Sequence, residues 1–167
     1  MALFRNYSSY KEEIELALIQ NACVEIELYS IVASIIRESN NPHQLSVRDV
    51  SNRRKSNFSR KFFGAGGFPD FVVVERNRTP NPVQYGCIEV KMPIVPLEKH
   101  FDQVLKHLQS FRKVLYTNGI RWIYYEDTLE TSCFDITLGT IHGNHIAWEP
   151  ADAWMQLLAE IDAIDWY

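Results

Sequence analysis

Apolar positions recur at helical spacing between Tyr10 and Glu38, where Val24, Leu28, Ile31, Val32, Ile35 and Ile36 lie three, four or seven apart. The pattern predicts two helices meeting near Gln20 and Asn21, ended by Asn40, Asn41 and Pro42. Beyond a basic stretch the period changes. Gly64, Gly66, Gly67 and Pro69 punctuate the chain ahead of a short apolar run from Phe71 to Val74, which reads as a buried strand. A turn-prone segment with two prolines, Asn77 to Pro82, leads into a second β-type run, Tyr85 to Lys91. From Leu97 to about Val114 the helical period returns. Leu97, Phe101, Val104, Leu105, Leu108 and Phe111 are apolar there, and Lys99, Lys106, Arg112 and Lys113 give the helix a basic outer side. Two strands follow around the turn pair Asn118-Gly119. A hairpin with arms Phe134 to Ile141 and His145 to Trp148 comes next, and a last helix runs from Pro150 or Ala151 to about Ile164. This order predicts an α/β fold with a mixed central sheet flanked by helices.

At 167 residues, with 46% hydrophobic and 23% charged side chains, the chain suits one globular domain spanning 1–167. Its expected parts are a helical N-terminal region (8–39), a hairpin (68–92), an amphipathic helix (97–114) and a C-terminal hairpin and helix (133–165). No stretch approaches the roughly 20 apolar residues that span a bilayer, so the expected setting is cytoplasmic, with no membrane partner. Cys23, Cys87 and Cys133 are odd in number and widely spaced, which excludes a disulfide framework and a zinc knuckle and leaves buried thiols. Trp122 and Tyr124 alternate toward one face of their strand and read as core.

Charge changes the picture locally. The chain carries 17 Lys and Arg against 21 Asp and Glu, which excludes a general polyanion binder. Residues 48–61 nevertheless hold Arg48, Arg53, Arg54, Lys55, Arg60 and Lys61 against Asp49 alone. Such a strip suits contacts to the phosphates of a nucleic acid, and Arg53, Arg54, Lys55, Arg60 and Lys61 are the expected binders.

The chemistry sits in Pro69-Asp70 and Glu89-Val90-Lys91. If the two runs form an antiparallel hairpin with Val74 opposite Tyr85, counting back places Asp70 opposite Glu89, and Lys91 shares the face of Glu89. Opposed side chains have Cβ atoms about 4.5 to 5.5 Å apart, where like charges repel, so the pair calls for a cation. A hard divalent ion such as Mg2+ fits, since it accepts one or two carboxylates and fills its octahedron with water and phosphate oxygens. Mn2+ is the expected substitute. The Val90 carbonyl is a further candidate ligand. Lys91 can reach the same water, orienting a nucleophile or neutralising charge on phosphorus.

Pro-Asp, eighteen residues, then Glu-x-Lys across a hairpin resembles the PD-(D/E)XK nuclease superfamily. The resemblance implies a restriction-endonuclease-like fold and Mg2+-dependent hydrolysis of phosphodiester bonds, with DNA the expected polymer, in restriction, phage defence or DNA processing. Asp70 and Glu89 match its metal-binding acids and Lys91 its catalytic lysine. The family often adds a glutamate from the first core helix, and Glu25, at the margin of the apolar stripe, is the candidate ahead of Glu27. The stretch Leu115 to Tyr125, LYTNGIRWIYY, is similar to a strand, Thr-Asn-Gly turn and Trp-bearing strand in the N-terminal nuclease domains of type I restriction motor subunits. There the preceding helix carries a Gln followed four residues later by a Tyr. Here the spacing gives Gln103 with His107, which departs from that pair and leaves both as auxiliary candidates.

Other constellations are weaker. His142 and His145 flank a tight turn without a third ligand, as an exposed hairpin would. The glycines at 64, 66 and 67 precede a strand, unlike a P-loop, and read as backbone flexibility at the mouth of the site. The rival from another class is a noncatalytic module that keeps the fold and binds nucleic acid or a partner. A second copy of the chain, or a larger restriction or repair assembly, is the other expected partner.

Overall fold

The computed structural model describes residues 3–20, 24–39 and 45–167. Cys23 and the helix stop at Asn40, Asn41 and Pro42 lie outside the described residues. Helix α1 (Tyr7–Ile19) starts where the Asn6 side chain accepts a hydrogen bond from the Ser9 amide at 3.1 Å. Helix α2 (Glu27–Arg37) follows, then the strands β1 (Leu45–Asp49), β2 (Phe71–Glu75) and β3 (Gln84–Val90). Helix α3 (Phe101–Phe111) connects β3 to β4 (Lys113–Thr117), and β5 (Arg121–Glu126) and β6 (Phe134–Thr137) complete the sheet. A separate hairpin of β7 (Gly139–His142) and β8 (His145–Trp148) precedes α4 (Ala151–Ala163).

The six-stranded sheet runs β1-β2-β3-β4-β5-β6 in space. Its pairs are antiparallel except β3 with β4, which are parallel and therefore need the crossover that α3 supplies. Both faces are covered. On one, α1, α2 and α4 bury Ile14, Leu28, Ile35 and Trp154 against Val73, Ile88, Leu115 and Trp122. On the other, α3 brings Val104, Leu108 and Phe111 against Val72, Cys87, Tyr116 and Ile123. Each central strand sends alternate side chains into both layers, which is why β2 to β5 read as nearly continuous apolar runs. The mixed α/β architecture expected from the sequence is the one found.

Several boundaries differ from the sequence expectation. β1 was hidden in the start of the basic run, because an edge strand with one buried residue, Val47, carries little alternation. Val24 is exposed and lies in the turn before α2, whose first amides bond back to Val24 and Glu25. α3 ends at Phe111 because Arg112 adopts φ 65°, closing the helix and releasing Lys113 and Val114 into β4; Leu105 is exposed. The arm expected from Phe134 to Ile141 is two strands. The Leu138 amide bonds to the Ile120 carbonyl, so β6 stays on the main sheet and β7 turns away to pair with β8. His142 and His145 face each other across that exposed hairpin. Trp122, Tyr124, Trp154 and Trp166 are core, Cys87 is buried, and Cys133 is exposed, contrary to expectation.

The β2 and β3 hairpin carries the expected register only in part. Phe71, Val72 and Val73 face Ile88, Cys87 and Gly86, but a bulge then sets Val74 against Gln84. Tyr85 is consequently turned to the α2 face instead of sharing that of Cys87. The end of the hairpin that bears the acids is undisturbed.

Candidate functional site

Asp70 lies immediately before β2, with its carbonyl bonded to the Val50 amide at 2.9 Å. Continuing the pairing of Phe71 with Ile88 by one residue sets Asp70 across from Glu89. The Asp70 carboxylate bridges two elements. Its Oδ2 accepts from the Val90 amide at 2.7 Å, and its Oδ1 accepts from the hydroxyl of Tyr29 on α2. The same hydroxyl stands 3.3 Å from Glu25 Oε1, so the turn before α2 brings Glu25 to the edge of the site. Tyr29 is held in place by an edge-on contact with Phe71, ring centroids 5.3 Å apart.

Glu89 is nearly sealed. Its Oε1 accepts from Lys91 Nζ at 2.6 Å, and its Oε2 faces His107 Nε2 at 3.2 Å without the alignment a hydrogen bond requires. Asp70, Glu89, Lys91, His107 and Tyr29 are all at most 8% exposed. Between Glu89 and Lys91, Val90 turns its side chain into the opposite, fully buried layer, as the strand period demands. The Lys91 amide bonds to the Thr117 carbonyl at 2.8 Å, which fixes the end of β3 to β4. The Asn118 side chain braces the following segment, donating to the Pro93 and Val95 carbonyls at 3.2 and 3.0 Å. Gly119 completes that turn at φ 82°, a conformation open to glycine.

These placements set the charges. Burial, and then the charge of Glu89, push the Asp70 carboxyl up to about 7, against the hydrogen bonds from Tyr29 and Val90 that favour its anion. Burial also works to raise Glu89, but His107 and the Lys91 ammonium outweigh it and hold it below the usual carboxylate range. Burial works to lower Lys91, and the Glu89 charge more than compensates, so its proton is held more tightly than usual. The arrangement is two buried acids and one cation, in which one acid is fully ionised and its neighbour is short of positive charge.

The residues fit a hard divalent ion. Glu89 Oε2 is buried and lacks a hydrogen-bond partner, and a cation beside both acids would offset the Glu89 charge that, after burial, raises Asp70. Among the described residues no three His, Cys, Asp or Glu form a ready-made ligand cluster.

The auxiliary pair separates. His107 reaches Glu89, whereas Gln103 is half-buried and lines a different cavity of about 270 Å³ with Gly66, Lys99, His100 and Lys106. The glycine-rich segment is a close-packed seal and not the flexible mouth expected. Gly64 and Gly67 exchange backbone hydrogen bonds at 2.9 and 3.0 Å, and a Cβ on Gly66 would lie 2.8 Å from His107 Nδ1.

Arg53, Arg54, Lys55, Arg60 and Lys61 are exposed on the loop between β1 and β2, but the loop carries part of the strip away from the acids. Lys61 Nζ donates to the Pro80 carbonyl in the connection between β2 and β3, at the end of the hairpin opposite Asp70 and about 17 Å from it along the strand. Arg53 and Lys61 also lie over the Phe62 ring, 5.0 and 5.4 Å from its centroid. Sequence reasoning missed Tyr29. Its signal was a polar-tipped aromatic on a buried stripe four residues after Glu25, a position whose hydroxyl needs a partner.

No protein-family model matches the sequence, and no curated protein matches it. Among solved structures, a chain of the DrdV-DNA complex, determined by cryo-electron microscopy, is similar over 99% of this chain, with a TM-score of 0.61 and 9% identity. This chain spans 14% of that one. The likeness shows a shared fold. Among the described residues no helix is long and apolar enough to cross a membrane.

Proposed function

We propose that the protein is a divalent-cation-dependent phosphodiesterase of the PD-(D/E)XK kind, acting on nucleic acid and on DNA in particular. The observation that carries this is the convergence of Asp70, Glu89 and Lys91, with Lys91 Nζ 2.6 Å from Glu89 and Asp70 driven toward protonation by burial and then by the Glu89 charge. The fold it shares with part of a DNA-bound protein supports DNA as the polymer.

Asp70 and Glu89 would hold the ion, Mg2+ with Mn2+ as substitute, and the Val90 carbonyl and Glu25 are the further ligands in reach of that corner. When bound, the ion supplies Lewis acidity and a more acidic water at neutral pH. Tyr29 and the Val90 amide fix the Asp70 carboxylate from two sides, so its free lone pairs point in a set direction. Lys91 acts as a charged donor and not as a base, because the Glu89 charge holds its proton. One of its three N–H groups is directed to Glu89, and the others can donate to a phosphoryl oxygen as charge builds there. His107 closes the site behind Glu89. The exposed cations of the loop bind phosphates away from the reacting one, adding affinity without reading sequence.

The test is cleavage of plasmid and oligonucleotide DNA and RNA with Mg2+ or Mn2+ and with EDTA. Wild type should cleave only with metal, and Asp70→Ala, Glu89→Ala and Lys91→Ala should each lose on the order of 100-fold or more. Binding without cleavage, equal in all four proteins, would establish the noncatalytic module instead.

A further inference from the structure

The loop between β1 and β2 carries a feature that phosphate binding leaves unused. Phe58 is 87% exposed, more than any other large apolar side chain among the described residues, and it sits between Arg53, Arg54 and Lys55 on one side and Arg60 and Lys61 on the other. A flexible tip would make this unremarkable, but the turn beneath Phe58 is tied. Buried Ser59 donates to the Arg54 carbonyl, the Ser56 amide donates to Ser59 Oγ at 3.1 Å, and the Ser59 amide returns the contact to Ser56 Oγ at 3.3 Å. The Arg60 amide bonds to the Ser56 carbonyl at 2.9 Å, and Phe62 anchors the segment in the α3 layer. The ring is therefore presented on a fixed support. The same loop holds a cavity of about 400 Å³ lined by Lys55, Ser56, Asn57, Arg60 and Phe63, residues on either side of Phe58 in sequence. Phe63 forms one wall, 37% exposed, with Lys55 Nζ 3.9 Å from its ring centroid.

Flat apolar faces interleaved with fixed positive charge, hydroxyls and a carboxamide match a ligand that repeats an aromatic ring and a phosphate. In a duplex the base faces are covered by their neighbours, and a ring such as Phe58 gains nothing from them. An unpaired base offers a free π-face, and its polar edge can meet Asn57 and Ser56. We infer that the 53–63 loop is a stacking site for an unpaired nucleobase, so that the nucleic acid this protein engages is single-stranded or splayed where it crosses the loop. This rests on the nucleic-acid reading above and is independent of the hydrolytic one.

The experiment is fluorescence anisotropy in EDTA at low salt, with a labelled mixed-sequence single-stranded oligonucleotide and the blunt duplex of the same sequence. Phe58→Ala removes an exposed ring and leaves the fold intact. It should weaken single-strand binding about tenfold and duplex binding less than about twofold, and Phe58→Trp should restore it. The salt dependence should be unchanged in Phe58→Ala and shallower in Arg60→Glu. Equal losses on both oligonucleotides, no loss on either, or a wild type that binds neither would overturn the inference. Because the measurement contains no metal, it is separable from cleavage: single-strand stacking without hydrolysis under any ion sinks only the enzyme, and metal-dependent cleavage with Phe58→Ala binding as wild type sinks only the stacking site.

Discussion

The Tyr29 hydroxyl donates to Asp70, tying helix α2 to the first acid of the site. That bond favours the carboxylate form and works against the burial that raises it. Tyr29→Phe keeps the ring against Phe71 and removes only the donor, which should cost about 1 to 2 kcal/mol in stability. Without it the Asp70 pKa rises further. The acid limb of the pH profile for metal-dependent cleavage should move to higher pH, with little change on the alkaline side. An unshifted profile in Tyr29→Phe would show that the hydroxyl is only packed there.

Asp70 also predicts how the metal-free protein responds to pH. An acid whose folded-state pKa lies at about 7, above its ordinary 3.8, binds its proton more tightly when folded. Its stabilising share is complete below about pH 4 and is lost as pH rises through 7, on the order of 4 kcal/mol in all. Asp70→Asn cannot titrate and should escape that loss. Urea unfolding in EDTA should show Asp70→Asn gaining on wild type steadily between pH 4 and pH 8. Parallel curves would mean that Asp70 ionises in the ordinary range.

Divalent ions should reverse the penalty. Mg2+ at about 100 times its Kd stabilises by about 2.7 kcal/mol, or roughly 5 to 10 °C in Tm for a chain of this size. Asp70→Asn and Glu89→Gln should abolish the shift. Lys91→Ala should keep or enlarge it, because the ammonium now held by Glu89 Oε1 competes with the ion, while cleavage is lost. Loss of the thermal shift in Lys91→Ala would place the lysine among the groups that hold the ion.

Two adjacent glycines of the seal should behave differently. Gly66→Ala drives a Cβ against His107, 2.8 Å from Nδ1, and should cost about 1 to 3 kcal/mol and depress activity per folded molecule. Gly67→Ala meets open space but must adopt φ +92°, so it should cost about 1 to 2 kcal/mol and leave that activity intact. Denaturant unfolding alongside turnover of the folded fraction separates the two.

What the sequence disclosed follows the physics of each element. The central strands are buried on both faces, so Phe71 to Val74 and Tyr85 to Lys91 stood out as apolar runs, and the alternation brought Asp70 and Glu89 together without coordinates. The count began from Val74 and Tyr85, which do not pair, and still gave the right partner for Asp70 because the bulge falls beyond Val73. β1 was illegible because an edge strand needs only one apolar side chain. The end of α3 was illegible because a single positive φ at Arg112 stops it, and arginine is not a usual residue for that conformation. His107 was visible as a departure from the Gln and Tyr spacing, but its approach to Glu89 depends on the crossover from β3 to β4, a long-range arrangement that no local pattern encodes. The reach of the basic loop was likewise set by where Lys61 is tied, at Pro80.

The bond from the Val50 amide to the Asp70 carbonyl makes the loop between β1 and β2 leave and rejoin the framework at one point. Asp70 is thereby held from the β1 side by a backbone bond that does not pass through the outer part of the loop, from Arg53 to Lys61. On the proposed function, such a layout would let the phosphate-binding surface vary while the geometry of the acids stays fixed.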